Sequence, residues 1–295
     1  MNEIYFAPYV DRFKKSFFKR LLWTAAGSCA LGGLYAWRFE DHWLRIERRE
    51  MPLDGLGIGF DGATVAHISD LHCSPIVLER YLRQCVDTIN AMGVDFVVIT
   101  GDFITGHKHY ARRVARVLKG LRPKIATLAV LGNHDYGIFH PRGIGGTRGL
   151  AEYLTRELSD ANISVVLNET RTFHRNGSSV QFVGVEDFWS PRYNPYAAFA
   201  KAASGSPIVA LCHNPDAAVQ LAHCGAQWVL AGHTHGTGLP NAVLPADNSH
   251  FIAGEYDLGN GRALYVNRGL GYGRRIRLNS RPEITLFTMR ARKAA

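Results

Sequence analysis

Five short stretches of this 295-residue chain carry the residue types that do metal and acid–base chemistry: Asp70-Leu71-His72, Gly101-Asp102, Gly132-Asn133-His134-Asp135, His213-Asn214 and Gly232-His233-Thr234-His235. Their donors are carboxylate, amide oxygen and imidazole, with no thiolate, a set that suits Mn, Fe or Zn without choosing among them. Asp70, His72, Asp102, Asn133, His213, His233 and His235 make seven donors. That is too many for one four-coordinate zinc and right for two divalent metal ions sharing a carboxylate. Two cations about 3.5–4 Å apart clamp both oxygens of an in-line phosphoryl displacement. In Asp70-x-His72 and His233-x-His235 an extended backbone would point both side chains the same way, so each pair could reach one site. Carboxylates gathered like this repel one another unless a cation lies between them.

Each stretch directly follows an apolar run. Runs at 64–69, 95–100, 126–131, 180–185, 207–212, 227–232, 263–267 and 284–289 read as strands, and several are continuously apolar, as strands buried on both faces are. Residues 77–92, 110–121 and 150–161 space their apolar side chains at the helical period. Residues 44–49 alternate at period two, which fits a first strand or an extended linker. Strand alternating with helix implies a layered α/β domain, and in such sheets sites form beyond the carboxyl ends of the strands. Gly57, Gly59 and Gly62 form a G-x-G-x-x-G, but it precedes a strand and opens no helix, so the dinucleotide-binding reading fails.

The ordered motifs ISDLH, TGDF, LGNHDYG, LCHNPD and AGHTHG, spanning residues 68–236, resemble the calcineurin-like metallophosphoesterase family. LYVNRGLG and RPEIT add a similarity to its bacterial membrane-anchored or exported phosphodiesterase branch, which includes UDP-diacylglucosamine pyrophosphatases of lipid A synthesis. The resemblance implies a four-layer αββα sandwich of two mixed sheets. It assigns Asp70, His72 and His235 to one metal, Asn133, His213 and His233 to a second, and Asp102 to both, with Mn the expected ion and Fe or Zn the alternatives. It implies that an activated water attacks phosphorus, that His134 protonates the leaving oxygen and that Asp135 holds the His134 ring. A turn cap is the other reading of Asp135. One departure lies at the rim, where GHTHGTG replaces the usual GHTHGGQ.

Residues 1–20 are basic and residues 21–37, Leu21 to Trp37, carry no charge. The pair reads as a membrane anchor ahead of a phosphoesterase domain at 40–295, with a cleaved signal or a helix lying on the membrane as alternatives. Five basic residues before the apolar stretch favour an exported domain, whereas a lipid A precursor would place the domain on the cytoplasmic face. A net charge of +9 suits an anionic partner such as a phosphodiester, a lipid-linked nucleotide or an acidic bacterial inner membrane, and no nucleic-acid recognition motif accompanies it. The five cysteines are odd in number and scattered without a C-x-x-C, which argues against a disulfide framework or structural zinc and for buried or free thiols.

Three further expectations concern substrate. Arg268 could offer phosphate a guanidinium fork, as could the arginines of GRRIR, although that run also fits a solvated strand face. The glycine-rich loop from Phe139 to Leu150 fits a lid or a plain surface loop. Asp187 to Ala203, dense in aromatics and punctuated by Pro191 and Pro195, could receive acyl chains near the metals.

Overall fold

A computed structural model describes residues 7–38, 40–143, 145–236, 250–272 and 279–292. In chain order, α1 (Ala7–Arg38) precedes β1 (Arg45–Leu53), β2 (Thr64–Ile68), α2 (Glu79–Ala91), β3 (Phe96–Thr100), α3 (His109–Leu118), β4 (Ala126–Val130), α4 (Leu150–Ser159) and β5 (Ser164–Val165). Then follow β6 (Glu169–Arg175), β7 (Ser178–Gly184), α5 (Pro195–Phe199), β8 (Ile208–Leu211), α6 (Ala218–His223), β9 (Trp228–Ala231), β10 (Gly254–Gly259), β11 (Arg262–Val266) and β12 (Glu283–Ala291).

The strands form two six-stranded sheets, ordered β1-β12-β2-β3-β4-β5 and β10-β11-β9-β8-β7-β6. Both are mixed. In the first, β12 runs antiparallel to β2 while β2, β3, β4 and β5 are parallel. In the second, β7, β8, β9 and β11 are parallel, and β6 and β10 join antiparallel at the edges.

Strand alternation sorts neighbouring residues into different layers. Val65, Val98, Leu128, Val209, Leu230 and Phe287 meet in the core between the sheets. Their neighbours Ala66, Val97 and Ala129 turn outward against α2, α3 and α4, and Ala210, Val229 and Leu264 turn outward against α5 and α6. Three apolar interfaces therefore hold four layers together, the αββα order expected from the family resemblance. The eight apolar runs and three helical runs read from sequence all form the expected elements. The short α5 and α6 and the edge strands β5, β6 and β10 carried too weak a period to stand out.

Helix α1 contains the uncharged stretch, yet Gly27, Gly32, Gly33, Thr24 and Ser28 dilute it. Among the described residues no helix is long and apolar enough to cross a membrane. Phe17, Leu22, Trp23 and Leu31 are exposed along it.

His67 is an imidazole inside the inter-sheet core. It is fully buried, stacks on Phe287 at 6.4 Å and has Nε2 2.8 Å from Thr100 Oγ1. Burial pushes its pKa down to about 3. An unfolded chain binds a proton here below pH 6.5 while the folded chain does not, so this group weakens the fold as pH drops from 6.5 towards 3. His67→Gln keeps a partner for Thr100 without titrating. Urea unfolding of metal-free protein should show wild type losing about 2 kcal/mol more than the variant between pH 6.5 and pH 5; parallel pH profiles would count against a neutral His67.

Candidate metal centre

Beyond the carboxyl ends of β2, β3, β4, β8 and β9 the chain turns sharply, and there the seven candidate ligands gather. Asp70 and Asp102 are 0 % and 1 % exposed. Asp70 Oδ1 lies 3.4 Å from His235 Nε2, 3.8 Å from His72 Nε2 and 4.0 Å from His213 Nε2. Asp102 Oδ2 lies 3.2 Å from His213 Nε2 and 3.5 Å from His72 Nε2, between the two groups of imidazoles. His72 Nε2 and His235 Nε2 are 3.0 Å apart, and His233 Nδ1 is 3.2 Å from His213 Nε2. Asp70-His72-His235, His72-Asp102-His134 and Asp70-Asp102-His213 each converge closely enough to hold a cation.

The orientation of each donor is fixed from behind. His213 Nδ1 meets the Thr100 carbonyl at 2.7 Å, which leaves Nε2 facing the carboxylates. The Asn133 amide donates to Ile138 O at 2.7 Å, and its Oδ1 is buried with no hydrogen bond. Asp70 Oδ2 accepts the His233 N–H at 3.0 Å while Oδ1 accepts none. Asp102 Oδ1 accepts the His134 N–H at 3.0 Å. Buried acceptors without donors are costly, and bound divalent cations would relieve the cost at Asp70 Oδ1 and Asn133 Oδ1. The donor set thus fits the two metals the family resemblance implies.

The ionisation pattern agrees. Burial raises the Asp102 pKa, but His213, His134 and His72 outweigh burial and hold it well below the usual carboxylate range. Burial lowers the His213 pKa, but Asp102 above all, then Asp70 and Asp187, hold it well above that of a free imidazole. The carboxylates draw a proton onto His213, and a bound cation would take its place.

The backbone corrects one expectation. The D-x-H and H-x-H pairs converge without extended geometry. Asp70, His72, Asp102, His233 and His235 have φ of 50°, 44°, 53°, 76° and 56°. Among the described residues every other non-glycine with positive φ is asparagine, the residue type that tolerates this conformation best. Each such turn costs of order 1–3 kcal/mol, and these five coincide with candidate ligands. Close approach of the turns needs glycine: a Cβ on Gly232 would fall 1.8 Å from Ser69 Oγ and 2.5 Å from Asp70 Oδ2.

His134 sits at the mouth on a short 3-10 turn, Asn133–Tyr136. Its Nε2 is 3.9 Å from Asp102 Oδ2 and its side chain 29 % exposed. Asp135 does not hold this ring. Its carboxylate accepts the Gly132 and Ile104 N–H groups at 2.9 and 3.2 Å, while His134 Nδ1 has no hydrogen bond. The side chain closes the tight turn and points away from His134, so Asp135 is a turn cap.

Arg268 also departs from expectation. Its guanidinium is engaged by Glu283 and, at 3.0 Å, Glu47, which draws the fork away from the role of phosphate ligand. GRRIR and the Thr237-Gly238 rim lie outside the described residues. The loop after His134 is tied back through Gly146 N–H to Gly137 O and Thr147 N–H to Tyr136 O, both at 2.8 Å. The aromatic segment divides. Trp189 stands edge-on to His233 at 4.8 Å, whereas Phe199 packs into the core under the second sheet.

One acidic residue near the centre escaped the sequence reading. Asp187 is 1 % exposed, accepts the Trp189 N–H at 2.9 Å through Oδ1, and leaves Oδ2 buried without a hydrogen bond. Burial raises its pKa, against the pull of His213 and His233. The signal was available, since Asp187 follows β7 as the other acids follow their strands.

The description "Calcineurin-like phosphoesterase" matches residues 63–237, more than half of the chain. A Bacillus subtilis protein, the uncharacterized metallophosphoesterase YkuE, is 28% identical over 95% of this chain and 97% of its own length. The UDP-2,3-diacylglucosamine pyrophosphatase LpxG of Chlamydia trachomatis is 27% identical over 90% of this chain and 95% of its own. The phosphodiesterase YaeI of Escherichia coli is 26% identical over 76% and 81%.

Because Asp102 Oδ2 faces both groups of imidazoles, Asp102→Ala should release both metals together. Elemental analysis that finds one full-occupancy metal in the variant would rule out a shared carboxylate. His134→Ala and Asp135→Ala should part company. The first keeps the melting temperature and slows hydrolysis roughly 10²–10⁴-fold for poor leaving groups. The second strands two buried N–H groups and costs about 1–3 kcal/mol of stability. Matching leaving-group dependence in the two variants would restore Asp135 to the His134 ring.

Proposed function

The chain belongs to the calcineurin-like phosphoesterase family, and from that premise we propose that it hydrolyses a phosphodiester or pyrophosphate bond at a membrane surface, with an acylated sugar nucleotide of the UDP-diacylglucosamine kind as substrate. It is a metallophosphoesterase, and the observation that carries the chemistry is the convergence of the left-handed residues Asp70, His72, Asp102 and His235, with left-handed His233 beside them against His213. Asp70, His72, Asp102, Asn133, His213, His233 and His235 would hold two divalent cations, Mn in our reading, and these would supply charge neutralisation at the phosphoryl oxygens and a lowered pKa for an attacking water.

The protein's own groups do the rest. Asp70, His72 and His235 hold one side of the centre, Asn133, His213 and His233 the other, and Asp102 joins them. These rigid, dehydrated donors set the phosphoryl group in line for displacement. His134 reaches the mouth from the first sheet and is placed to give the leaving oxygen a proton.

The substrate proposal has three supports. The name of the Chlamydia trachomatis relative specifies this pyrophosphate, although at 27% identity. Phe139, 58 % exposed, stands edge-on to His134 at 4.8 Å, and Trp189 stands edge-on to His233 at 4.8 Å, so aromatic surface borders the catalytic mouth. Helix α1 carries Lys14, Lys15, Lys19 and Arg20 beside exposed Leu21, Leu22 and Trp23, a pattern suited to an anionic lipid interface. The bacterial inner membrane is the proposed location.

The test is hydrolysis by purified full-length protein with Mn²⁺ on anionic vesicles, using UDP-diacylglucosamine, glycerophosphodiesters and an aryl phosphodiester. We expect release of UMP from the first, fastest on vesicles and slower for a chain starting at residue 40, with aryl phosphodiester turnover alike in both. Turnover of the aryl compound alone would replace this substrate with a general phosphodiester.

A further inference from the structure

The connection from β11 to β12 leaves the second sheet and enters the first. Its described ends, residues 267–272 and 279–282, both make contacts beside the candidate ligands. Its first turn backs the Asp70 turn directly: Leu270 N–H donates to Ser69 O at 2.9 Å and Gly271 N–H to Asp70 O at 2.6 Å. A Cβ on Gly269 would sit 2.6 Å from Asp70 Cβ. Its last turn backs the other sheet, where Ser280 Oγ donates to His235 O.

Arg268 joins the two ends. Its guanidinium is engaged by Glu283 at the start of β12 and by Glu47 on β1. A Cβ on Gly236 would sit 3.0 Å from its Cγ, so its methylenes lie under the residue after His235. Glu283 is 1 % exposed and also accepts from Tyr265 Oη at 2.7 Å and Thr285 Oγ1 at 2.6 Å. A buried carboxylate with this many donors is rigid. The chain just after α1 takes part as well, since Glu40 accepts the Ser280 N–H at 3.2 Å.

Asp70 and His235 occupy left-handed backbone that relaxes unless its surroundings hold it. Asp70 is held by the Gly101 carbonyl and the His233 N–H, and this connection adds the Gly271 bond to Asp70 O and the Ser280 bond to His235 O. His213 and Asn133 are instead held by Thr100 O and Ile138 O, neither of which Arg268 touches.

We propose that Arg268, fixed by Glu47 and Glu283, is a positioning residue for the Asp70–His235 half of the metal centre, and that the chain entering the domain after α1 is part of this clamp. The clamp rests on the two-metal reading of the site and not on the substrate. Calorimetric titration of metal-free, full-length protein with Mn²⁺ tests it on wild type, Arg268→Ala, Arg268→Lys and Glu47→Gln. In Arg268→Ala one Mn²⁺ should bind about 10–100-fold more weakly and the other should shift far less. Arg268→Lys should recover part of the loss, and Glu47→Gln should weaken the same site to a smaller degree. Equal weakening of both sites, or no change at either, overturns the clamp, as does a wild-type chain that binds fewer than two Mn²⁺. If Arg268→Ala does not fold, Arg268→Lys and Glu47→Gln decide by the same criterion. Since no substrate is present, a wrong substrate leaves this result readable.

Discussion

Two carboxylates, Asp70 and Asp102, lie buried among histidines drawn from both sheets, and the rest of the structure answers to that arrangement. Taking a carboxylate out of water costs several kcal/mol unless opposite charge and hydrogen bonds replace the solvent. One oxygen of each is satisfied by a backbone N–H, from His233 and His134. The remaining oxygens face ring nitrogens at 3.2–4.0 Å. Divalent cations between these oxygens and rings would meet that demand.

Holding so many donors around one point requires backbone that ordinary strands and helices do not provide. Parallel strands bring five chain ends to one edge of two stacked sheets, and each end must then turn at once. Left-handed residues make the turns after β2, β3 and β9, and Gly232 lets the β9 end lie against the β2 end. The conformational cost is borne by the packed layers beneath: the inter-sheet core joins β2, β3 and β4 to β7, β8 and β9 through fully buried side chains such as Phe96, Phe182 and Leu230. A rigid floor of this kind keeps the donors preorganised.

Around this polar centre the mouth is apolar and aromatic. Phe139 borders His134 from the first sheet and Trp189 borders His233 from the second. The polar donors thus lie deep and the aromatic side chains at the rim. Asp187 ties the rim to the centre, because it accepts the Trp189 N–H and the Trp189 ring stands against His233.

Residue order alone determined the family, the seven candidate donors and the α/β alternation, because donor identity and the period of buried strands are local properties that tertiary contacts do not rewrite. Edge strands and short helices stayed hidden because half-exposed or five-residue segments bury too little to leave a period. The tertiary structure decided the questions of direction. It showed left-handed turns where spacing suggested extended pairs, since only the facing sheet reveals where a donor must point. It turned Asp135 onto the Gly132 and Ile104 amides and Arg268 onto Glu47 and Glu283, partners 3, 31, 221 and 15 residues away along the chain. A side chain's type limits which bonds it can make, but its partner is chosen by what the fold brings within about 3 Å, and that choice is not written in the neighbouring residues.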